Sequence, residues 1–311
     1  MELHYLELFN SVAEFESFKK ASEVLHISQP ALSIQIKKLE EQIGLKLFNK
    51  IGNKICLSEN GIMLYDYTKK IMSIVSELEN NISTTKNFIG GTINIGGSNT
   101  PGTYILPELI GLFKKSYPKT SVNLHIANTS EIAHLINNGT LDFAVNGGNL
   151  EYSNYIYAEK LIEERLVLVS SPIHPMADKD EVSTDDLATT DFVVHKTDSQ
   201  LFTYYKNFIN KIGVTEKISM YLGSIDAIKR AVCSNLGIAL IPYSAVWFDI
   251  KYGLLKELKL EGETPTYPYS LIYNKNKSLS VTSEKFIELI RGTIDNYKYN
   301  KPSIENNYSQ Q

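Results

Sequence analysis

The stretch that most limits what this chain can fold into is residues 17–50, SFKKASEVLHISQPALSIQIKKLEEQIGLKLFNK. Its pattern predicts two short helices joined by a tight turn, then a further unit. Ser17 stands as the N-cap of a helix over Phe18–Leu25, and His26-Ile27 makes the turn. Ser28 caps a second helix that opens Gln29-Pro30, where proline's missing N–H costs nothing in the first turn. Leu32, Ile36 and Leu39 recur at i, i+4 and i+7 and predict one buried stripe. At about 100° per residue the opposite face carries Pro30, Ile34, Lys37 and Lys38, flanked by Ala31 and Ser33. That face is small, apolar and basic, where a solvated face usually mixes Glu with Lys. It suits the DNA major groove, with lysines on phosphates and short side chains against base edges. The candidate DNA contacts on this helix are Ser28, Gln29, Pro30, Ala31, Ser33, Ile34, Lys37 and Lys38. A plain helical bundle is the alternative, and it leaves the composition of that face unexplained.

The flanking segments extend this unit. Residues 3–14 predict a helix with Leu3, Leu6, Phe9, Val12 and Ala13 on one face. Together with Phe18, Ala21, Val24, Leu25, Leu32 and Ile36 they make a three-helix core. Leu45–Leu57 reads as a hairpin wing with Gly52-Asn53 near its tip. Lys50 and Lys54 flank that tip, within reach of phosphate or the minor groove. A long helix is predicted from Ser58-Glu59-Asn60-Gly61 to about Lys86, with Leu64, Tyr67, Ile71, Ile74, Val75, Leu78 and Ile82 at three- and four-residue spacing. So narrow a stripe reads as a dimer seam. Packing against the helix's own domain is the alternative.

Gly90-Gly91 reads as a hinge, after which short strands alternate with amphipathic helices, the signature of a parallel sheet. Strands are predicted at Thr92–Ile95, Ser121–Ile126, Leu141–Asn146 and Arg165–Ser170, with helices at Tyr104–Ser116 and Ser130–Asn137. A second α/β unit follows, with strands at Phe192–Val194, Lys217–Leu222 and Ile238–Ile241 and helices at Gln200–Lys211 and Ile225–Ser234. The chain then returns through an extended segment, Pro265–Tyr273, to a last helix, Val281–Tyr297. In such lobes a small molecule sits at strand ends and helix N-termini. Ser98, Asn99 and Thr100 follow the first strand after a glycine pair. Asn128 and Thr129 precede a helix, as does Ser224, and His195 and Thr197 follow a strand in the second unit. Free N–H groups and hydroxyls there suit an anionic or polar ligand. The plainer reading of each cluster is N-capping.

The string SF-(x)2-A-(x)3-L-(x)2-SQPALS-(x)2-I-(x)2-LE-(x)2-(I/L)G-(x)2-LF resembles the N-terminal signature of LysR-type transcriptional regulators. Ser17-Phe18, Ala21, Leu25, Ser28 to Ser33, Ile36, Leu39-Glu40, Gly44 and Leu47-Phe48 carry it. GTINIGGSNTPGTYILPELIGLFKKSYP, NNGTLDFAV, GSIDAIKRAV and NLGIALIP resemble the family's regulatory half. The likeness spans about residues 3–295 and is closest to the branch that includes regulators of the Calvin cycle and of cysteine biosynthesis. It implies a mixed fold: an N-terminal, largely α-helical winged helix-turn-helix (1–58), a linker helix (59–89) and a two-lobed, periplasmic-binding-protein-like α/β effector domain (90–298). Lobe I would take about 90–165 and 267–298 and lobe II about 166–266, with 299–311 a disordered tail. It implies as partners an interrupted palindromic operator in double-stranded DNA, a small-molecule co-inducer, further copies of the chain as homodimer or homotetramer, and RNA polymerase. By resemblance, hydroxyl-bearing residues at the first two loop positions line the effector site. Where Lys50 stands the family usually has arginine, which weakens base reading there but keeps a phosphate contact.

Composition sets limits. The net charge of −4 argues against non-specific nucleic-acid binding through a large basic surface. Within residues 1–58, Lys19, Lys20, Lys37, Lys38, Lys46, Lys50 and Lys54 balance Glu2, Glu7, Glu14, Glu16, Glu23, Glu40 and Glu41. Affinity must then come from where the lysines sit and from dimerisation. No leader segment or membrane span is legible, so a cytoplasmic location is expected. Cys56 and Cys233 fall in different predicted domains, read as small buried hydrophobes, and form neither a disulfide framework nor a metal site. Peroxide-sensing members of the family use a cysteine pair in the effector domain; only Cys233 lies there, which rejects a redox sensor. No phosphate loop, HExxH or G-x-S-x-G is present, and the histidines lack ligand spacing, so no enzyme, metal or cofactor is expected. Two other readings remain open: a solute-binding protein without a DNA role, and a DNA-binding regulator with an empty cleft.

Overall fold

The computed structural model describes residues 2–51, 54–84, 89–260, 262 and 265–295. The chain divides into two compact units, Met1–Ile82 and Ser83–Gln311. In the first, α1 (Leu3–Phe15), α2 (Phe18–Val24) and α3 (Gln29–Ile43) close over Leu6, Leu8, Phe9, Val12, Ala21, Leu32, Ile36 and Leu39. Both predicted caps form. Ser17 Oγ accepts from Lys20 N–H at 3.3 Å, and Ser28 Oγ accepts from Ala31 N–H at 3.3 Å. His26 makes the turn between α2 and α3 in the left-handed region, φ 53°.

Two expected core residues lie outside that core. Val24 is 56% exposed, because Ala21, Ser22 and Leu25 share a face that lies about 100° away around the helix. Leu3 is also exposed; burial of Leu8 rotates the inner face of α1 away from it.

The wing is an antiparallel pair, β1 (Phe48–Ile51) and β2 (Lys54–Leu57), with Phe48 opposite Leu57. Its tip, Gly52-Asn53, and the Lys54 side chain lie outside the described residues. The Glu40 carboxylate ties the wing to α3 by accepting from Leu47 N–H at 2.7 Å. The long helix α4 (Glu59–Thr84) begins flush against the wing. A Cβ on Gly61 would stand 2.1 Å from the Leu47 carbonyl oxygen, so only glycine fits there.

The stripe predicted along α4 splits in two. Leu64 and Ile71, expected on the partner-facing seam, pack with Tyr65 on the domain's own core. Beside them the fully buried Thr68 hydroxyl donates to Asn10 Oδ1 at 2.5 Å. Met63, Tyr67, Ile74 and Leu78 remain exposed, each by more than half. The predicted end of this helix near Lys86 and the Ile82 side chain lie outside the described residues.

The second unit runs β3 (Gly91–Ser98), α5 (Asn99–Tyr104), α6 (Leu106–Ser116), β4 (Thr120–Ala127), α7 (Thr129–Asn137), β5 (Phe143–Gly147) and β6 (Ile156–Ser170). There follow α8 (Thr184–Thr189), β7 (Asp191–His195), α9 (Gln200–Ile212), β8 (Lys217–Leu222), α10 (Ile225–Cys233), β9 (Ala239–Pro242), α11 (Tyr243–Lys251), β10 (Lys256–Leu258), β11 (Thr266–Asn274) and α12 (Val281–Thr293). The main sheet has the order β10-β6-β11-β5-β3-β4, with β9 also on β6. β3 lies parallel to β4 and β5, and β7 to β8, while β11 runs antiparallel to β5 and β6.

The helix predicted over Tyr104–Ser116 begins earlier and is two helices, broken at Ile105 (φ −115°, ψ −56°) just before Pro107. The turn into α5 is tight, since a Cβ on Gly97 would stand 2.5 Å from Gly102 Cα. Nor is Gly90 a free joint: its N–H donates to Thr282 Oγ1 at 3.2 Å, and its carbonyl accepts from that hydroxyl at 2.9 Å.

β6 is much longer than its predicted Arg165–Ser170. Ile156–Arg165 pairs with β11, and Leu166–Ser170 pairs with β9 and β10. One continuous strand therefore belongs to both lobes: the first built on β3, β4, β5 and β11, the second on β7, β8, β9 and β10.

Candidate functional site

Two surfaces gather the predicted residues. On α3, Ser28, Gln29, Pro30, Ser33, Ile34, Lys37 and Lys38 are exposed and Ala31 is half-buried. Ile34 stands out as an apolar side chain 57% exposed beside two lysines. Lys37 lies 3.7 Å from Glu41, an exposed i,i+4 pair that gives up its lysine at little cost. Lys50 is exposed near the end of β1.

The second surface is a cleft in the effector unit of about 510 Å³, part of its open mouth included. Ser98, Asn99 and Thr100 line it where β3 passes into α5, and Asn128, Thr129 and Ser130 where β4 passes into α7. From the second lobe come His195 at the end of β7, the turn residue Asp198, then Ser199, Gln200 and Leu201 at the head of α9. Ile225 on α10 and Tyr267 on β11 complete the lining.

Several hydroxyls are already engaged. Gly147 N–H donates to Ser98 Oγ at 2.8 Å, and Thr129 Oγ1 donates to the Gly147 carbonyl at 3.2 Å. One backbone glycine at the end of β5 thus fixes both loops. Ser98 keeps a proton to donate and Thr129 keeps lone pairs to accept. Asn128 Oδ1 caps α7 on Glu131 N–H at 2.9 Å, and Ser199 Oγ caps α9 on Phe202 N–H at 3.1 Å. Thr100 is buried. His195 is 5% exposed, and its Nδ1 has no hydrogen-bond partner. Burial holds its pKa below the usual histidine value, so the ring is neutral at pH 7.

Six of the eight predicted effector residues meet in this cleft, and Thr197 and Ser224 are not among its lining. Thr197 is exposed in the turn between the lining residues His195 and Asp198, and the Ser224 hydroxyl is spent capping Ala227 N–H at 3.2 Å. Sequence reasoning missed Ser130, Asp198, Ser199, Gln200, Leu201, Ile225 and Tyr267 as lining. Ser199 heads a predicted helix and was available by the same logic as Asn128. Tyr267 carries no local signal, since its place follows from its pairing with Glu164 across β11 and β6.

Two polar clusters support the cleft. Tyr104, at the end of α5, donates to Asp226 Oδ1 on α10 at 2.8 Å, and Lys229 sits 2.7 Å from Asp249 on α11. Glu164 is buried on β6 and accepts from Ser244 N–H, from Ser244 Oγ at 3.1 Å and from Tyr269 O–H at 2.5 Å. Burial pushes its pKa up to about 7, against the opposing pull of the Tyr269 and Ser244 hydrogen bonds and of Arg165.

Cys56 and Cys233 are half-buried rather than buried. Among the described residues no cluster of His, Cys, Asp or Glu is placed to hold a metal ion, and no helix is long and apolar enough to cross a membrane.

Residues 3–62 match the family described as bacterial regulatory helix-turn-helix protein, lysR family, and residues 87–295 match the LysR substrate binding domain. A probable RuBisCO transcriptional regulator of Guillardia theta is 34% identical, covering 91% of this chain and 93% of its own. Another so named, from Porphyra purpurea, is 33% identical over 93% and 92%. Among solved structures, the LysR family transcriptional regulator CbnR superposes with a TM-score of 0.73 at 19% identity, covering 94% of this chain and 99% of that one. Full-length OxyR from Pseudomonas aeruginosa gives 0.68 at 20% identity and 95% of each. These two likenesses concern the fold. With both halves of its length matched, the chain belongs to the LysR family of DNA-binding transcription regulators, in which a helix-turn-helix domain is joined to a two-lobed effector-binding domain.

Proposed function

We propose that this regulator acts in the cytoplasm as a homodimer or homotetramer on an interrupted palindromic operator, under control of a co-inducer held in the effector cleft. In this reading residues 1–58 read DNA, 59–89 pair two chains, and 90–298 form the effector domain. The observation that carries it is the exposed, apolar and basic face of α3. Ile34 in water has no reason to be apolar, and a thymine methyl is its natural partner. Lys37, Lys38 and Lys50 take phosphates, and the short side chains of Ser28, Ala31 and Ser33 let the helix approach base edges. The exposed Met63, Tyr67, Ile74 and Leu78 on α4 supply the seam between copies. Occupation of the cleft changes the angle between the lobes and so the spacing of the two half-sites in the oligomer. RNA polymerase is the downstream partner. No catalytic step, cofactor or metal is required.

The names of the relatives make carbon-fixation promoters, alongside the DNA upstream of this gene, the first operators to try. The test has two arms. A gel shift with those fragments should give a specific complex, and its absence on every fragment would remove the reading. Thermal unfolding of the full chain against a metabolite panel should give a ligand worth about 2.7 kcal/mol at a hundred times its Kd. Thr100→Val should abolish that shift while leaving operator binding in place.

A further inference from the structure

The chemistry of the cleft lining narrows what that co-inducer is, on the premise that the cleft is the effector site. The lining divides by polarity. Thr129 and Ser130 head α7, and Gln200 and Leu201 head α9, with the third N–H of each helix taken by Asn128 and Ser199. The first two N–H groups of each helix have no acceptor within it, and that is a place for an oxyanion. Opposed to these donors stand two groups of the other kind. Among the described residues that line the cleft, Asp198 is the only charged one and none is lysine or arginine. Lys196, two residues before Asp198, is held by the Asp198 carboxylate itself at 3.2 Å. Beside Asp198, the neutral His195 is more than nine-tenths buried, with Nδ1 unpartnered; the Lys196 backbone lies near without supplying a bond of good geometry.

A bare oxyanion satisfies the helix ends but brings no donor to the Asp198 carboxylate, of which Lys196 takes one oxygen, or to His195 Nδ1 in the tautomer that leaves it unprotonated. A purely cationic or neutral ligand wastes the two helix N-termini. We infer that the cleft takes a small carboxylate that carries its own hydrogen-bond donor on the adjacent carbon, the class of α-hydroxy and α-amino acids. The carboxylate lies at the α7 and α9 N-termini, within reach of the Ser98 and Thr100 hydroxyls. The hydroxyl or ammonium faces Asp198 and His195.

Two matched sets of probes test this on the full chain by calorimetry and thermal unfolding: propionate, lactate and alanine, and succinate, malate and aspartate. Within each set the only change is H, OH or NH3+ beside a carboxylate. In at least one set the donor-bearing acid should bind tenfold or more tightly than its donor-free mate. Whether lactate or alanine, malate or aspartate leads separates the hydroxyl from the ammonium. Asp198→Asn and His195→Leu should each shrink that ratio, because the acceptor that reads the donor is gone. Equal binding of propionate and lactate, or of succinate and malate, with no preference for the amino acids, would overturn the assignment. So would a ratio that survives both substitutions, or six probes that all fail to bind. A gel shift of the unmodified chain run alongside separates the two failures: operator binding without any probe binding removes the ligand class and leaves the regulator.

Discussion

Ser28 caps α3 and Asn128 caps α7 with the same device, a side-chain oxygen on the N–H three residues on. What surrounds each differs. The α3 face is drawn from one helix, stands in water, and rests on a separate core stripe of Leu32, Ile36 and Leu39. The cleft is drawn from residues 98–100, 128–130, 195, 198–201, 225 and 267, and several of its groups are also structural supports. Ser98 and Thr129 both hold Gly147, and Tyr267 on β11 stands opposite Glu164 of β6. On α3, the residues proposed to meet DNA are separate from those that hold the core. Around the cleft the two roles are fused, so substitutions there should move both.

That contrast can be broken at its strongest point first. Glu164→Ala removes the acceptor for Ser244 N–H and Tyr269 O–H, both buried, and should cost about 3 kcal/mol or more in urea unfolding of the full chain. A loss below ~1 kcal/mol would mean that the polar cluster under the cleft is no support at all. Glu164 also sets a pH dependence. Its pKa rises from 4.5 to about 7 on folding, so the folded chain holds this proton more tightly than the unfolded chain. The contribution is complete below pH 4.5 and is lost as pH climbs to about 7. At roughly 1.4 kcal/mol per unit, the wild type should lose about 3 kcal/mol relative to Glu164→Gln across that window, read from unfolding curves at several pH values. Parallel profiles would show that this carboxyl does not titrate there.

The α3 side of the contrast predicts smaller effects that fall on DNA alone. Ile34→Ala should leave stability within about 0.5 kcal/mol. It should cost ~1–3 kcal/mol of discrimination at one operator position, seen by competition with single-base operator variants. Unchanged preference at every position would end the thymine-methyl assignment. Smallest is Lys38→Ala. Binding to all sequences should weaken alike, and the slope of log K against log salt should become shallower by about one. A loss confined to one base pair would make Lys38 a base reader instead.

The same difference governs how much was legible in the sequence. Caps and a 3.6-residue stripe are local, so α3, its exposed face and the Ser17 and Ser28 caps follow from residues 17–50 directly. Leu64 and Ile71 mislead for the opposite reason: a single helix cannot say which side its neighbours occupy, and here they lie on its own domain's core. The first part of β6 is hidden by charge. Glu159, Lys160, Glu163, Glu164 and Arg165 interrupt the apolar pattern; Lys160 pairs with Glu163 along the strand, while the partners of Glu159, Glu164 and Arg165 are remote in sequence. Glu159 pairs with Arg291 at 2.6 Å, and Arg165 pairs with Glu257. The cleft was legible in the pieces that precede helices, Ser98–Thr100 and Asn128–Thr129. Ser224 carries the same local signal, but its hydroxyl is spent on its own helix end. Which caps converge is decided by strand order, and no local pattern encodes that.

The length of β6 has a mechanical consequence. Lobes joined by flexible crossings can swing about a pin with no restoring force. Here fifteen residues of one strand are hydrogen-bonded to β11 at one end and to β9 and β10 at the other, with Glu164 buried just before the changeover. A change of angle between the lobes must be taken up as torsion along that strand, and a twisted strand springs back. If a ligand in the cleft changes that angle, as proposed, it works against an elastic load, and on its departure the strand itself returns the lobes to their starting angle.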